Sequence, residues 1–352
     1  MIGVHAPARI CFFGDHQDYL SLPVIAGTID RKITIEGTPN NSNKIILQLI
    51  DIDNTIVIDL NEQFNKIAEQ DYFRSVWVVL KNHGYHLTEG YTVEIRGTIP
   101  INAGLSSSSA LVVAWIRFVL AALNREDEVT NEQIGKWAFE SEVTFFNQPG
   151  GLMDQFTIAQ GGLLYIDTAK GTTERLTPNL GHLVVAESGI PKQTLEVLKN
   201  ARNYGQAALA AVQENVPNFN LHQADEVAYS DYKKFVPEPY KPYWYAAIYN
   251  HLLTQNARKM LLSGTIDFVQ IGQWINSHQE ILQECIQNTP QKMSAQMEAA
   301  KKAGALGAKI IGSGGGGCMV ALVTADTKEN VIDAFLKAGA SSAYEVNLTT
   351  IA

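Results

Sequence analysis

Residues 99–123, IPINAGLSSSSALVVAWIRFVLAAL, restrict the fold more than any other part of the chain. A β-like stretch turns at a glycine and enters a helix at Ser106 that is apolar on nearly every face. Such a helix needs neighbours all round it, so it belongs at the centre of a domain with strands packed over it. The apolar stretch, residues 110–123, is only 14 residues long and is broken by Arg117, too short to cross a bilayer. Four serines over the first turn leave free N–H groups and the positive end of the dipole facing whatever lies in front, and phosphate is the natural occupant. A serine-rich start is also an ordinary helix cap, and the lysine of the GxxxxGK[ST] nucleotide loop is missing.

Around this segment, alternation over 32–36, 44–50, 55–60 and 91–95 predicts half-buried strands in a mainly β first hundred residues. A second helix is expected over 130–142 and short strands over 161–167 and 182–187. Helices should dominate from Gln193 to about Gly304, including 245–262 and 268–284, with 237–244 (PEPYKPYW) as a surface loop. Strands over 307–311 and 319–323, a helix over 328–338 and a last strand near 343–348 complete the pattern. This order predicts two α+β units, 1–180 and 181–352, and 46% hydrophobic with 18% charged residues suits two packed cores.

A formal charge of −9, from 36 acidic and 27 basic residues, excludes a general nucleic-acid surface and favours a small ligand. Cys11, Cys285 and Cys318 are odd in number, widely spaced and without a CxxC pair, so reduced thiols in a cytoplasm are expected. The first residues, MIGVHAPARICFFGDH, lack the layout of a signal peptide. A cytoplasmic monomer or homodimer with neither nucleic acid nor membrane as partner is therefore expected.

Residues 312–317, GSGGGG, satisfy GxGxxG at Gly312, Gly314 and Gly317, but a strand follows where a dinucleotide fingerprint requires a helix. Close approach of backbone to a ligand or to another segment explains the run better. Asp154, after two glycines in GGLMDQ, reads as a turn or cap residue or as a functional group. Arg9, Asp15, His16, Asp18 and Tyr19 cluster in an apolar context, as in a substrate pocket or a satisfied buried network. His83 and His86 have no further ligand spacing around them and read as an exposed loop.

Taken in order, these segments resemble the GHMP kinase superfamily. APARICFFGDHQDY is similar to the galactokinase N-terminal signature, IPINAGLSSSSA to the family's phosphate loop, and GAKIIGSGGGGCMVAL to its C-terminal glycine motif. GDHQDY and GGLMDQF resemble the galactokinase branch in particular. The resemblance implies an α+β fold of two domains, one ribosomal protein S5 domain 2-like and one ferredoxin-like, with ATP and substrate in the cleft between them. It implies Asp154 as the catalytic aspartate with Arg9 beside it, and Asp15, His16, Asp18 and Gly151 as sugar contacts, with Tyr204 a further candidate. ATP would meet Ala103, Gly104, Leu105, Ser106, Ser107, Ser108 and Ser109, Gly314 and Gly315, and an adenine-flanking Tyr72 or Trp77. Ser108 and Glu142 would ligate Mg²⁺. The implied reaction is transfer of the γ-phosphate of ATP to a sugar hydroxyl, the anomeric one of galactose or a related sugar. Mevalonate, heptose, uronic acid and arabinose specificities, and a catalytically silent sugar sensor, remain alternatives. One departure concerns recognition: Asp15 stands where galactokinases usually carry Glu.

Overall fold

The computed structural model describes residues 1–64, 66–176, 180–192 and 194–349. The chain opens with β1 (Ile2–Phe13), paired antiparallel along nearly its whole length with β2 (Val24–Pro39). Alternation could not reveal β1, because residues 6–13 are all buried and, Arg9 apart, apolar on both faces. There follow β3 (Lys44–Leu49), β4 (Asn54–Asp59), α1 (Tyr72–Asn82), β5 (Tyr91–Gly97), α2 (Ser107–Ala122), α3 (Asn131–Phe139), α4 (Met153–Gln160), β6 (Leu163–Asp167) and β7 (Thr172–Leu176). Among the described residues they form one seven-stranded sheet, ordered β4-β3-β5-β2-β6-β7, with β1 on β2.

Helix α2 is the all-round apolar helix, and it packs on β1, β2, α1, α3 and α4. Its charged residue is accommodated without a partner carboxylate: Arg117 donates to the carbonyls of His5 and Ala159, each at 2.9 Å. Burial brings that guanidinium down to about 10. Helix α3 ends at Phe139 and widens into a π-turn over Glu140–Thr144, so the helix expected to reach residue 142 changes geometry where Glu142 is presented.

The second half contributes β8 (His182–Glu187), α5 (Thr194–Asn215), α6 (Glu226–Tyr232), α7 (Lys241–Leu262), α8 (Phe268–Ile281), α9 (Gln291–Lys302), β9 (Gly307–Ile310), β10 (Cys318–Val323), α10 (Lys328–Lys337) and β11 (Ser342–Val346). Its sheet, β11-β8-β10-β9, is antiparallel throughout. The loop expected over 237–244 is instead a short turn running into α7, with Trp244 fully buried against Phe219. Pro242 does not prevent the helix: it sits in the first helical turn, where its missing N–H costs nothing.

Hydrophobic packing is continuous between the sheets, with Ile10, Leu183, Val320 and Leu322 in one cluster. Backbone contacts add a bridge from Ile29 to Leu348 and a bond from Thr349 N–H to the Thr28 carbonyl at 2.8 Å. All three cysteines are free thiols. Among the described residues no helix is long and apolar enough to cross a membrane.

Candidate active site

A cavity of about 350 Å³ opens between the two halves, walled by Arg9, the turn after β1, the serines ahead of α2, the Gly150–Asp154 loop, Lys192 and Gly312–Ser313. Strand β1 carries Arg9 into it, and α4 presents Asp154 in its first turn, where the helix dipole favours a carboxylate. The two meet in a bidentate pair: Nε donates to Oδ1 at 2.7 Å and an η nitrogen to Oδ2 at 2.8 Å. The remaining η nitrogen donates to the Gly104 carbonyl at 2.6 Å, so one guanidinium ties the carboxylate to the loop ahead of α2.

Ser106 precedes α2 in the left-handed region, φ 58°, and does not cap it. Its hydroxyl donates instead to Asp154 Oδ2 at 2.5 Å, a local strain that aims the side chain at the carboxylate. Burial alone would raise the Asp154 carboxyl, but the Arg9 charge and hydrogen bonds, the Ser106 hydroxyl and Lys192 outweigh it and hold the group below the usual range. Lys192 is itself brought down to about 8, first by burial and then by Arg9.

Asp18 is pushed the other way. Burial, then the neighbouring charge of Asp154, lifts it from 3.8 to about 7. Gly151 allows it to sit there: a Cβ on that glycine would lie 2.0 Å from Asp18 Oδ2. Two carboxyls of one site are thus separated in acidity, the arrangement that lets one remain an ionised base. Because the folded protein binds the Asp18 proton more tightly than the unfolded chain does, stability should fall as pH rises from about 4 to about 7. Asp18→Asn should therefore melt several degrees above the parent protein at pH 8, with the gap closing toward pH 4 in thermal unfolding scans.

Glu142, presented by the π-turn, is buried, and burial raises its carboxyl against hydrogen bonds from Ser108, Ser109 and Gln155. Gln155 Nε2 donates to it at 2.7 Å, while Gln155 Oε1 is buried with no hydrogen-bond partner.

Residues 71–162 match the GHMP kinases N terminal domain and residues 257–341 the GHMP kinases C terminal domain. The chain is 30% identical to the mevalonate kinase of Thermococcus onnurineus, over 90% of its own length and 87% of that protein. It belongs to the GHMP kinase family. A galactokinase of Roseiflexus sp. is 28% identical over 93% of this chain and 84% of its own. In fold, this GHMP kinase superposes on Lactococcus lactis galactokinase complexed with galactose with a TM-score of 0.87 at 23% identity, covering 99% of this chain and 94% of that one. The mevalonate kinase of Methanococcus jannaschii gives 0.74 at 19%, covering 99% and 98%. The GHMP kinase is accordingly a small-molecule phosphotransferase with an alcohol as acceptor.

Within this kinase the cavity gathers Arg9, Asp15, His16, Asp18, Gly151, Asp154, Ala103, Gly104, Ser106, Ser107, Ser108, Ser109, Glu142 and Tyr72. It does not gather five of the others. Leu105 is fully buried in the core and contributes only its carbonyl, which accepts from Arg9 N–H. Trp77, five residues after Tyr72 on α1, points from a different helix face into the core. Tyr204 packs on Tyr240 and Tyr243, away from the lining. Gly314 and Gly315 pack on Asn288, with Gly315 N–H donating to its carbonyl at 2.6 Å. The glycine run serves close backbone approach: a Cβ on Gly317, at φ 84°, would lie 2.6 Å from the Ala103 carbonyl oxygen.

Sequence reasoning missed Lys192, Gln155 and Lys309. A single lysine in a loop after β8 carries no pattern. Lys309 did carry one, a lysine inside the buried apolar strand β9, where a charge requires a partner.

Proposed function

We propose that this GHMP kinase transfers the γ-phosphate of ATP to a sugar hydroxyl, the anomeric hydroxyl of galactose or a related sugar, as a cytoplasmic enzyme divided near residue 180. The supporting observation is Asp18 beside Asp154. A neutral polyol offers hydroxyl donors to a carboxylate, whereas mevalonate would bring a further carboxylate into a pocket already lined by Asp15, Asp18, Glu142 and Asp154. The resemblance in fold to a galactose-bound galactokinase points the same way.

In this reading Asp154, held ionised by Arg9, accepts the proton of the attacking hydroxyl. Arg9 and Lys192 oppose the negative charge of the phosphates, and the free N–H groups at the start of α2 bind phosphate oxygens. Mg²⁺ fits the donor set: Glu142, the Ser108 hydroxyl and the unpartnered Oε1 of Gln155 are hard oxygens. When bound, the ion neutralises phosphate charge. Glu142→Gln should raise the Mg²⁺ concentration for half-maximal rate by about tenfold or more, in a magnesium titration at saturating nucleotide.

The deciding experiment is an ADP-release assay across galactose, arabinose, heptoses, uronic acids and mevalonate, with phosphorus NMR of the product. A sugar 1-phosphate is the expected product. Turnover of mevalonate alone would overturn the sugar reading.

A further inference from the structure

The turn after β1 grips the glycine loop of the second domain through side chains that the phosphotransfer reading does not use. Lys309 on β9 is fully buried, and its ammonium donates to three acceptors: Asp15 Oδ2 at 2.6 Å, the Cys11 carbonyl at 3.0 Å and the Ile310 carbonyl at 2.7 Å. An ammonium has three protons, so it is saturated. The other Asp15 oxygen accepts from Gly312 N–H at 2.9 Å. One residue on, His16 Nε2 donates to the Ser313 carbonyl at 2.9 Å. Asp15 is 1% exposed, and each of its oxygens is occupied by the second domain.

We propose that Asp15 and Lys309 are positioning residues: they form a buried inter-domain latch that holds Gly312 and Ser313 against Arg9 and Asp154, and Asp15 does not recognise the acceptor. Its relation to Arg9 is close, since a Cβ on Gly312 would lie 3.6 Å from an Arg9 η nitrogen and 3.4 Å from the Gly104 carbonyl oxygen. The latch therefore sets the spacing between the loop ahead of α2 and the glycine loop, where the nucleotide phosphates are read. The short Asp side chain suits this task, because it lies back in the turn where both Lys309 and Gly312 reach it. The consequence for turnover rests on the phosphotransfer reading above, but the latch itself does not.

The test uses Asp15→Asn, and Asp15→Asn/Lys309→Met, which removes the buried charge pair together and so guards against a variant that merely fails to fold. Amide hydrogen exchange over residues 312–317 should quicken by about tenfold in both, with exchange in the seven-stranded sheet unchanged. The KM for ATP should rise by about tenfold while the KM for the acceptor stays within about twofold. Unchanged exchange in the loop would overturn the latch, as would a raised acceptor KM with an unaltered ATP KM, which is the signature of an acceptor ligand. If the parent protein turns over no acceptor, the phosphotransfer reading fails, and the exchange measurement still decides the latch.

Discussion

Replacing Asp154 by asparagine should lower turnover by about a thousandfold while nucleotide binding persists, the range expected when a general base is removed from an otherwise intact site. The substitution keeps shape and removes charge. Arg9 loses its bidentate partner, because the new amide nitrogen is a donor facing a donor, and the Ser106 hydroxyl loses a charged acceptor. None of the N–H groups at the start of α2 is touched, so nucleotide affinity measured by calorimetry should change little. Turnover equal to that of the parent would remove Asp154 from the chemistry. Loss of nucleotide binding would show the carboxylate to be holding the loop rather than the proton.

Arg9→Met should lower turnover by about a hundredfold and also change its pH dependence. In the parent, burial raises the Asp154 carboxyl, and Arg9 first, with Ser106 and Lys192, more than reverses this, so the carboxylate is lost only at low pH. Without the guanidinium, burial acts with only Ser106 and Lys192 against it, and the acid limb of the kcat/KM profile should move to higher pH. The same linkage acts on stability. A depressed carboxyl stabilises the fold above its ordinary value and loses that contribution as pH falls through its folded value. Removing one partner of a buried pair costs about 3 kcal/mol, at the lower end of the usual range because Asp154 is 27% exposed. Denaturant unfolding should show that deficit at pH 7 and a smaller one at pH 3. An acid limb that does not move would mean that Arg9 does not set the ionisation of Asp154.

The three ordered motifs made the fold and the centre of the site legible. Arg9 and the serines lie inside those motifs, Asp154 lies in the GGLMDQF segment and Glu142 a short way before it, and their residue types follow from the chemistry of anions and hard cations. The direction in which a side chain turns is not local. Asp15 and Asp18 look alike in sequence, yet a lysine nearly 300 residues away takes one, while a glycine that lacks a side chain makes room for the other. Trp77 and Tyr204 are aromatic, as an adenine or sugar contact would be, but helix phase sends one into the core and stacking holds the other away. Lys192 reaches the site only because the loop after β8 passes over it. Strand β1 was hidden for a simpler reason: burial on both faces erases the alternation that marks a strand.

The contact between residues 28–29 and residues 348–349 bears on how the chain comes to be folded. During synthesis β1 and β2 can pair as soon as they emerge, but β2 cannot gain its partner at Leu348 until about 320 further residues have left the ribosome. Until then β2 keeps a short gap on the side that β6 covers up to Gly27 and β5 covers from Ile33, so the contact completes the sheet rather than starting it. So long-range a closing contact should be among the last to form and slow the final step of folding.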